Sequence, residues 1–186
     1  RNEEPKNSFL QKVRKLASRK GIVLIFDECT SGFRKNLGGI HKLYNVTPDM
    51  ALFGKALGNG YAVTAVIGKR DIMENAQASF ISSTFWTERI GPTAALETLK
   101  EMKRIKSWKI INENGNKIIN GWKKLERKYE LKIKIGGLPS ICNFSFLSKQ
   151  NQLYKTLITQ EMLKKGFLAS NSVYSCIAHN SKIINN

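Results

Sequence analysis

Two charged side chains sit in apolar surroundings at positions that suit carbonyl chemistry. Lys55 lies within "LFGKALGNGY", Leu52 to Tyr61, between apolar residues and just ahead of Gly58 and Gly60. Asp27 follows the apolar run "IVLIF", about one loop and one short strand earlier. In open α/β sheets ligands gather at the carboxyl ends of strands, so both residues are placed to touch one. A desolvated lysine has a lowered pKa and attacks carbonyls to form a Schiff base. A nearby carboxylate can keep a ring nitrogen protonated, and the two glycines would let backbone pass close to a ligand. The same residues also fit plainer roles, Asp27 as a helix cap or solvated strand end, and the two together as an ion pair. A buried pair adds little stability, because desolvation offsets much of the attraction.

The elements that must position these residues follow from periodicity. Phe9, Leu10, Val13, Leu16 and Ala17 fall at helical spacing and Gly21 supplies a stop. "GIVLIFDE" then reads as a parallel strand covered on both faces, and helix before strand suits an α/β layout. "MALF" and "YAVTAVIG" are the next strands, with Asp71 capping a short helix, "DIMENAQA". After a Ser/Thr-rich loop from Ser79 to Arg89, Pro92 is placed to begin a helix through about Ile105. A second helix runs from Ser107 to Tyr129 with Trp108, Ile111, Ile118, Ile119, Trp122 and Leu125 as its apolar stripe. Past "GGLPS" the order changes to strand (Ile141–Leu147), helix (Asn151–Lys165) and strand (Phe167–Ala169). The expected division is therefore 1–129 as an α/β unit and 130–186 as a smaller α+β unit. The chain opens on a helix feeding an interior-type strand and stops where a helix starts, which reads as the middle and later part of a larger protein.

The 186 residues carry 31 Lys and Arg against 14 Asp and Glu, a net charge of +17. Clustered basic residues would suit nucleic acid. Here the excess is spread along the chain, and its densest run, "GWKKLERKYELKIKIGG", intersperses acids, so a solvated face is the plainer reading. No apolar run reaches the ~18–20 residues of a membrane span, and "RNEEPKNSFL" has no signal-peptide pattern. Cys29, Cys142 and Cys176 lie far apart without a CxxC pair, as expected of reduced thiols in a cytoplasmic protein.

"LIFDECTSGFR" followed by "VTPDMALFGKALGNGYAVTAVIGKRDIM" resembles the core signature of the class III aminotransferases, and within them the glutamate-1-semialdehyde aminomutase-like branch. "STFWTERIGPTAALETL" is similar to the family's next block, and "KKGFLASNSVYSCIAHN" resembles its small C-terminal domain. The resemblance implies part of a large pyridoxal-phosphate-binding domain, a mostly parallel sheet with covering helices, followed by part of a small α+β domain. It implies an enzyme that moves an amino group to or from a carbonyl compound through a lysine Schiff base. Lys55 matches the lysine that bonds pyridoxal phosphate, and Asp27 the acid on its ring nitrogen. Cys29 matches an apolar position against the ring, and Thr84 the threonine that reaches the cofactor phosphate of a neighbouring subunit in a homodimer. Two departures stand out. Thr30 replaces the Gln that many members carry after a "DEV"-like triplet, and Trp86, Glu88 and Arg89 replace small residues of a "TFSGNP" block. The family's phosphate loop and stacking aromatic belong to an N-terminal portion absent from these residues.

Other candidates carry less. Cys176 and His179 form a lone C-x-x-H with no second pair, so no metal is expected. His41 sits in a glycine-bearing loop, and Glu28 fits either a site-orienting or a structural role. A catalytically incompetent truncated relative and a basic nucleic-acid-binding module stand as alternatives.

Overall fold

The computed structural model describes residues 4–85 and 87–185. The chain divides into two compact units, Pro5–Ser107 and a second that begins at Trp108. The long helix Ser107–Lys128 thereby groups with the C-terminal strands, whereas the sequence places the division near residue 130.

In the first unit, helix α1 (Phe9–Lys20) ends as expected at Gly21, whose φ of 62° lets its N–H reach back toward the last turn. Strand β1 (Ile25–Asp27) runs parallel to β2 (Met50–Phe53), with Ile25 opposite Met50 and Asp27 opposite Leu52. The ladder is shorter than the eight-residue run, and it is not covered on both faces. Ile22 and Ile25 are 59% and 51% exposed, and β2 is β1's neighbour among the described residues. Strand β3 (Ala65–Gly68) pairs antiparallel with β2, from Met50 opposite Gly68 to Phe53 opposite Ala65. A parallel return needs a crossover of a dozen or more residues, and the 54–64 connection is too short for one. The sheet is thus mixed, one parallel pair and one antiparallel pair. Helix α2 (Arg70–Met73) starts after Lys69, so Asp71 lies in its first turn and is not its cap. Helix α3 (Ile90–Ile105) begins two residues before Pro92, which sits where a missing N–H costs nothing. Phe33, Ala51, Phe53, Leu57 and Ala95 form the core, joining the strand-end loop, β2 and α3.

Asp49 anchors this unit. Its buried carboxylate accepts from Arg14 Nη1 of α1 at 2.7 Å, from the Leu24 N–H at 2.8 Å and from Lys69 Nζ at 2.7 Å. The Leu24 N–H and the two cations hold its carboxyl well below the usual carboxylate range.

The second unit contains α4 (Ser107–Lys128), β4 (Ile133–Gly136), β5 (Ile141–Phe146), α5 (Asn151–Lys164), β6 (Ser172–Tyr174) and α6 (Ser181–Asn185). Its antiparallel sheet has the order β4-β5-β6. Strand β4 corrects the reading of "LKIKIGG" as only a basic run, since Ile133 and Ile135 alternate with lysines at the period of a strand. The last strand is also displaced from Phe167–Ala169. The Phe167 N–H bonds Met162 O at 2.9 Å to close α5, and pairing with β5 waits until Ser172. Cys142 is fully buried, Trp122 stacks edge-on against Phe144 at 5.0 Å, and Phe146 packs on Tyr154 at 5.1 Å.

Two predictions follow from these contacts. A Cβ at Gly115 of α4 would stand 1.7 Å from Pro139 O, a backbone atom that no rotamer change can move. Alanine gains about 1 kcal/mol of helix propensity, but overpacking costs about 1–3 kcal/mol or more. Gly115→Ala is expected to lower stability in denaturant unfolding, whereas Gly121→Ala, with nothing within 4 Å of the new Cβ, should raise it. For Asp49→Asn, the loss should be about 2–3 kcal/mol at neutral pH. A depressed folded-state pKa contributes stability above the ordinary carboxylate value and loses it as pH falls through the folded value. The gap between wild type and Asp49→Asn should therefore close in acid unfolding; a gap independent of pH would show that the charge contributes nothing.

Candidate active site

The parallel β1/β2 ladder carries Asp27 and the residues before Lys55 to adjoining carboxyl ends, because Asp27 pairs with Leu52 and both chains then turn out of the sheet. Asp27 is exposed, and its Oδ1 accepts the Cys29 N–H at 3.0 Å, a local turn that holds the carboxylate at the strand tip. That backbone bond first, then the Cys29 thiol, lower its pKa; desolvation opposes them, and the charge of Lys55 adds the smallest lowering. The half-buried Cys29 thiol is pushed up by desolvation, and further by its hydrogen bond to Asp27 and by the Asp27 charge, with the charge of Lys55 opposing. Cys29 Sγ lies beside the next strand's end, 3.6 Å from where a Cβ on Gly54 would stand.

Lys55 follows Gly54 with φ of 46°, in the left-handed region that lysine rarely adopts. A short 3₁₀ turn holds it there. Leu57 N–H donates to Gly54 O at 3.0 Å, and the Gly58 and Asn59 N–H groups both donate to Lys55 O at 3.1 Å. The Lys55 side chain is exposed, and its Nζ donates to Thr30 Oγ1 across the two strand ends. The described residues therefore do not supply the desolvation on which the sequence argument for Lys55 rests.

A model of the family "Aminotransferase class-III" matches residues 3–178. The chain belongs to the class-III aminotransferases. It is 38% identical over 157 residues to a 3-aminobutyryl-CoA aminotransferase of Cloacimonas acidaminovorans, covering 84% of this chain and 38% of that protein. It is 30% identical over 202 residues to a glutamate-1-semialdehyde 2,1-aminomutase of Ignicoccus hospitalis, covering 97% of this chain and 47% of that protein. This class-III chain thus spans less than half the length of these curated relatives. Its fold matches FumI of Sphingopyxis sp. MTA144, solved in a PLP internal aldimine form, with a TM-score of 0.90 at 20% identity, over 100% of this chain and 45% of that one. An omega-transaminase from Sphaerobacter thermophilus matches with a TM-score of 0.84 at 22% identity, over 98% and 46%.

Of the expected site residues of this class-III chain, Asp27, Cys29 and Lys55 come together. Thr84 sits on an exposed turn and takes no part in their hydrogen bonds among the described residues. Trp86 lies outside the described residues. Glu88 is a helix cap, its Oε2 accepting the Gly91 N–H at 2.9 Å and its Oε1 the Ile90 N–H. Arg89 borders a shallow cleft of about 530 Å³ with Gly58, Tyr61 and Thr93. Gly58 serves the turn itself, since a Cβ there would meet Tyr61 O at 2.2 Å. The Cys176 N–H approaches His179 Nδ1 at 3.4 Å, and no cluster of three or more His, Cys, Asp and Glu suited to a metal occurs among the described residues.

Glu28, open in sequence to a site-orienting or a structural role and not paired there with His41, forms a buried network with it. Glu28 is 2% exposed; its Oε1 accepts the His41 N–H at 3.0 Å and faces His41 Nδ1 at 2.9 Å, while Oε2 accepts from Ser31. This clasp ties the β1 loop to the loop ahead of β2. Its one sequence signal was an acid beside Asp27, on the opposite side of an extended chain. Glu28→Ala should cost about 2–3 kcal/mol by leaving buried donors unpaired. Hydrogen exchange should show the 30–45 segment loosened, and unchanged protection there would refute the clasp.

Proposed function

We propose that the protein carrying this chain is a pyridoxal-phosphate-dependent aminotransferase or aminomutase, with Lys55 as the reacting amine and Asp27 as the partner of the ring nitrogen. The observation that carries this reading is the meeting of an ionised carboxylate and a primary amine at adjoining ends of parallel strands in a class-III chain. The residues present fit the cofactor. A carboxylate held below its usual range pairs well with a protonated pyridine nitrogen, and the amine suits an aldehyde. Cys29, small and half-buried between the strand ends, can pack against a ring.

Bound there, pyridoxal phosphate supplies an aldehyde that condenses with amines and a ring that accepts electrons from the substrate carbon. Lys55 Nζ would hold the cofactor through its aldehyde carbon, and as a free amine it would take a proton from the substrate carbon and return it elsewhere. Asp27 stays anionic and hydrogen-bonds the ring nitrogen, keeping it protonated. The substrates are a small amino donor and a carbonyl acceptor. The relatives' names offer two classes, an aminoacyl-CoA thioester and glutamate semialdehyde. Thr84 is assigned to the cofactor phosphate of a neighbouring subunit, so a competent site takes a cytoplasmic homodimer. For the whole protein we keep 1–129 as part of the large domain and 130–186 as part of the small one, a division that differs from the compact units in where α4 (Ser107–Lys128) falls. The chain alone, at less than half its relatives' length, is expected to be inactive.

In the full-length protein, Lys55→Ala should abolish the cofactor adduct that borohydride reduction fixes on the peptide containing residue 55. Trapping at the wild-type level would overturn the assignment. Asp27→Asn should retain the cofactor while kcat falls by about 100-fold or more; unchanged turnover would remove Asp27 from the ring nitrogen.

A further inference from the structure

Lys55 is constrained at both ends of its side chain. Its backbone is set in the left-handed region by the 3₁₀ turn, and its tip donates to the hydroxyl of half-buried Thr30, 25 residues away in sequence. An exposed lysine otherwise samples many rotamers, and ordering it for reaction costs entropy. Asp27 Oδ1 accepts the Cys29 N–H, while the lysine tip turns to the Thr30 hydroxyl. A hydroxyl also does what a carboxylate cannot. It accepts from an ammonium and can donate to a free amine, so it can keep hold of nitrogen that gains and loses a proton.

We propose that Thr30 is the positioning residue for Lys55, its hydroxyl holding Nζ between the two strand ends in both protonation states. The proposal rests on the reading of Lys55 as the reacting amine, and it concerns which residue presents that amine. Loss of the hydroxyl frees the lysine tip. A freed amine reacts more readily with any small electrophile, yet it meets a bound aldehyde less often in the right orientation.

The test uses the full-length protein and two measurements that respond in opposite directions. Lysines of the cofactor-free protein are labelled competitively with acetic anhydride and quantified by peptide mass spectrometry. Capture of pyridoxal phosphate at Lys55 is followed by borohydride trapping. Thr30→Val is expected to raise labelling of Lys55, relative to other exposed lysines, by about 2- to 10-fold, the factor for one lost hydrogen bond. Capture should slow by about 3- to 10-fold for the same reason, with kcat falling and KM moving less than about twofold. Thr30→Ser should restore all of these, which a merely space-filling role would not require. Thr30→Ala repeats the test without the added methyl. Wild-type labelling and capture in both Thr30→Val and Thr30→Ala would overturn the proposal, as would a Thr30→Ser variant as impaired as Thr30→Val. If the wild type traps no cofactor at Lys55, the aminotransferase reading itself fails, and the labelling contrast alone decides whether Thr30 holds the lysine.

Discussion

A three-residue parallel ladder is the constraint on which the site depends. Pairing of Ile25, Phe26 and Asp27 with Met50, Ala51 and Leu52 brings two strand ends side by side, and everything placed at those ends follows. So short a ladder carries few hydrogen bonds of its own, and buried charge supports it from below. Asp49 accepts from the Leu24 N–H at the start of β1 and draws in Arg14 and Lys69, so one carboxylate joins α1, β1 and the chain after β3. Glu28 does the corresponding work above, tying the loop that leaves β1 to His41. Both acids are buried and fully engaged, which is the condition under which a buried charge is tolerated.

The two charges exposed at the strand ends contrast with this frame. Asp27 is held by the Cys29 N–H and Lys55 by the Thr30 hydroxyl, and both side chains remain exposed. Large apolar side chains of the same unit are open as well. Ile25, Val66, Ile67 and Phe85 are all exposed, and Phe80 is 98% exposed. The excess of basic residues has a quieter place in the structure. Lys100, Arg104, Lys117 and Lys164 each pair with an acid three or four residues away on an exposed helix face, where such pairs contribute a few tenths of a kcal/mol.

Much of the fold was legible in the sequence where the signal was local. Helical spacing and Gly21 mark α1, and α3 and α4 follow within a residue or two of their expected bounds. The same logic misplaced strands when charge masked the pattern, as at β4, or when a helix stop was taken for a strand, as at Phe167. The parallel start of the sheet was readable from an apolar run ending in an acid. The antiparallel return of β3 was set by a connection too short to cross over.

By itself the sequence determined which residues stand at the strand ends, Asp27 and Lys55, because motif spacing and apolar periodicity are properties of neighbouring residues. Only the tertiary structure decided what those residues touch. Thr30 meets Lys55 across 25 positions, Glu28 meets His41 across 13, and Asp49 gathers donors from three separate segments of the chain. Hydrogen bonds form between groups within about 3 Å, and closeness of that kind between distant residues is fixed by ladder register and packing, which no local pattern encodes. The same reason explains why Lys55, placed among apolar neighbours in the chain, stands exposed in the folded unit. Its neighbours in sequence turn into the core, and its own side chain turns toward the open ends of the strands.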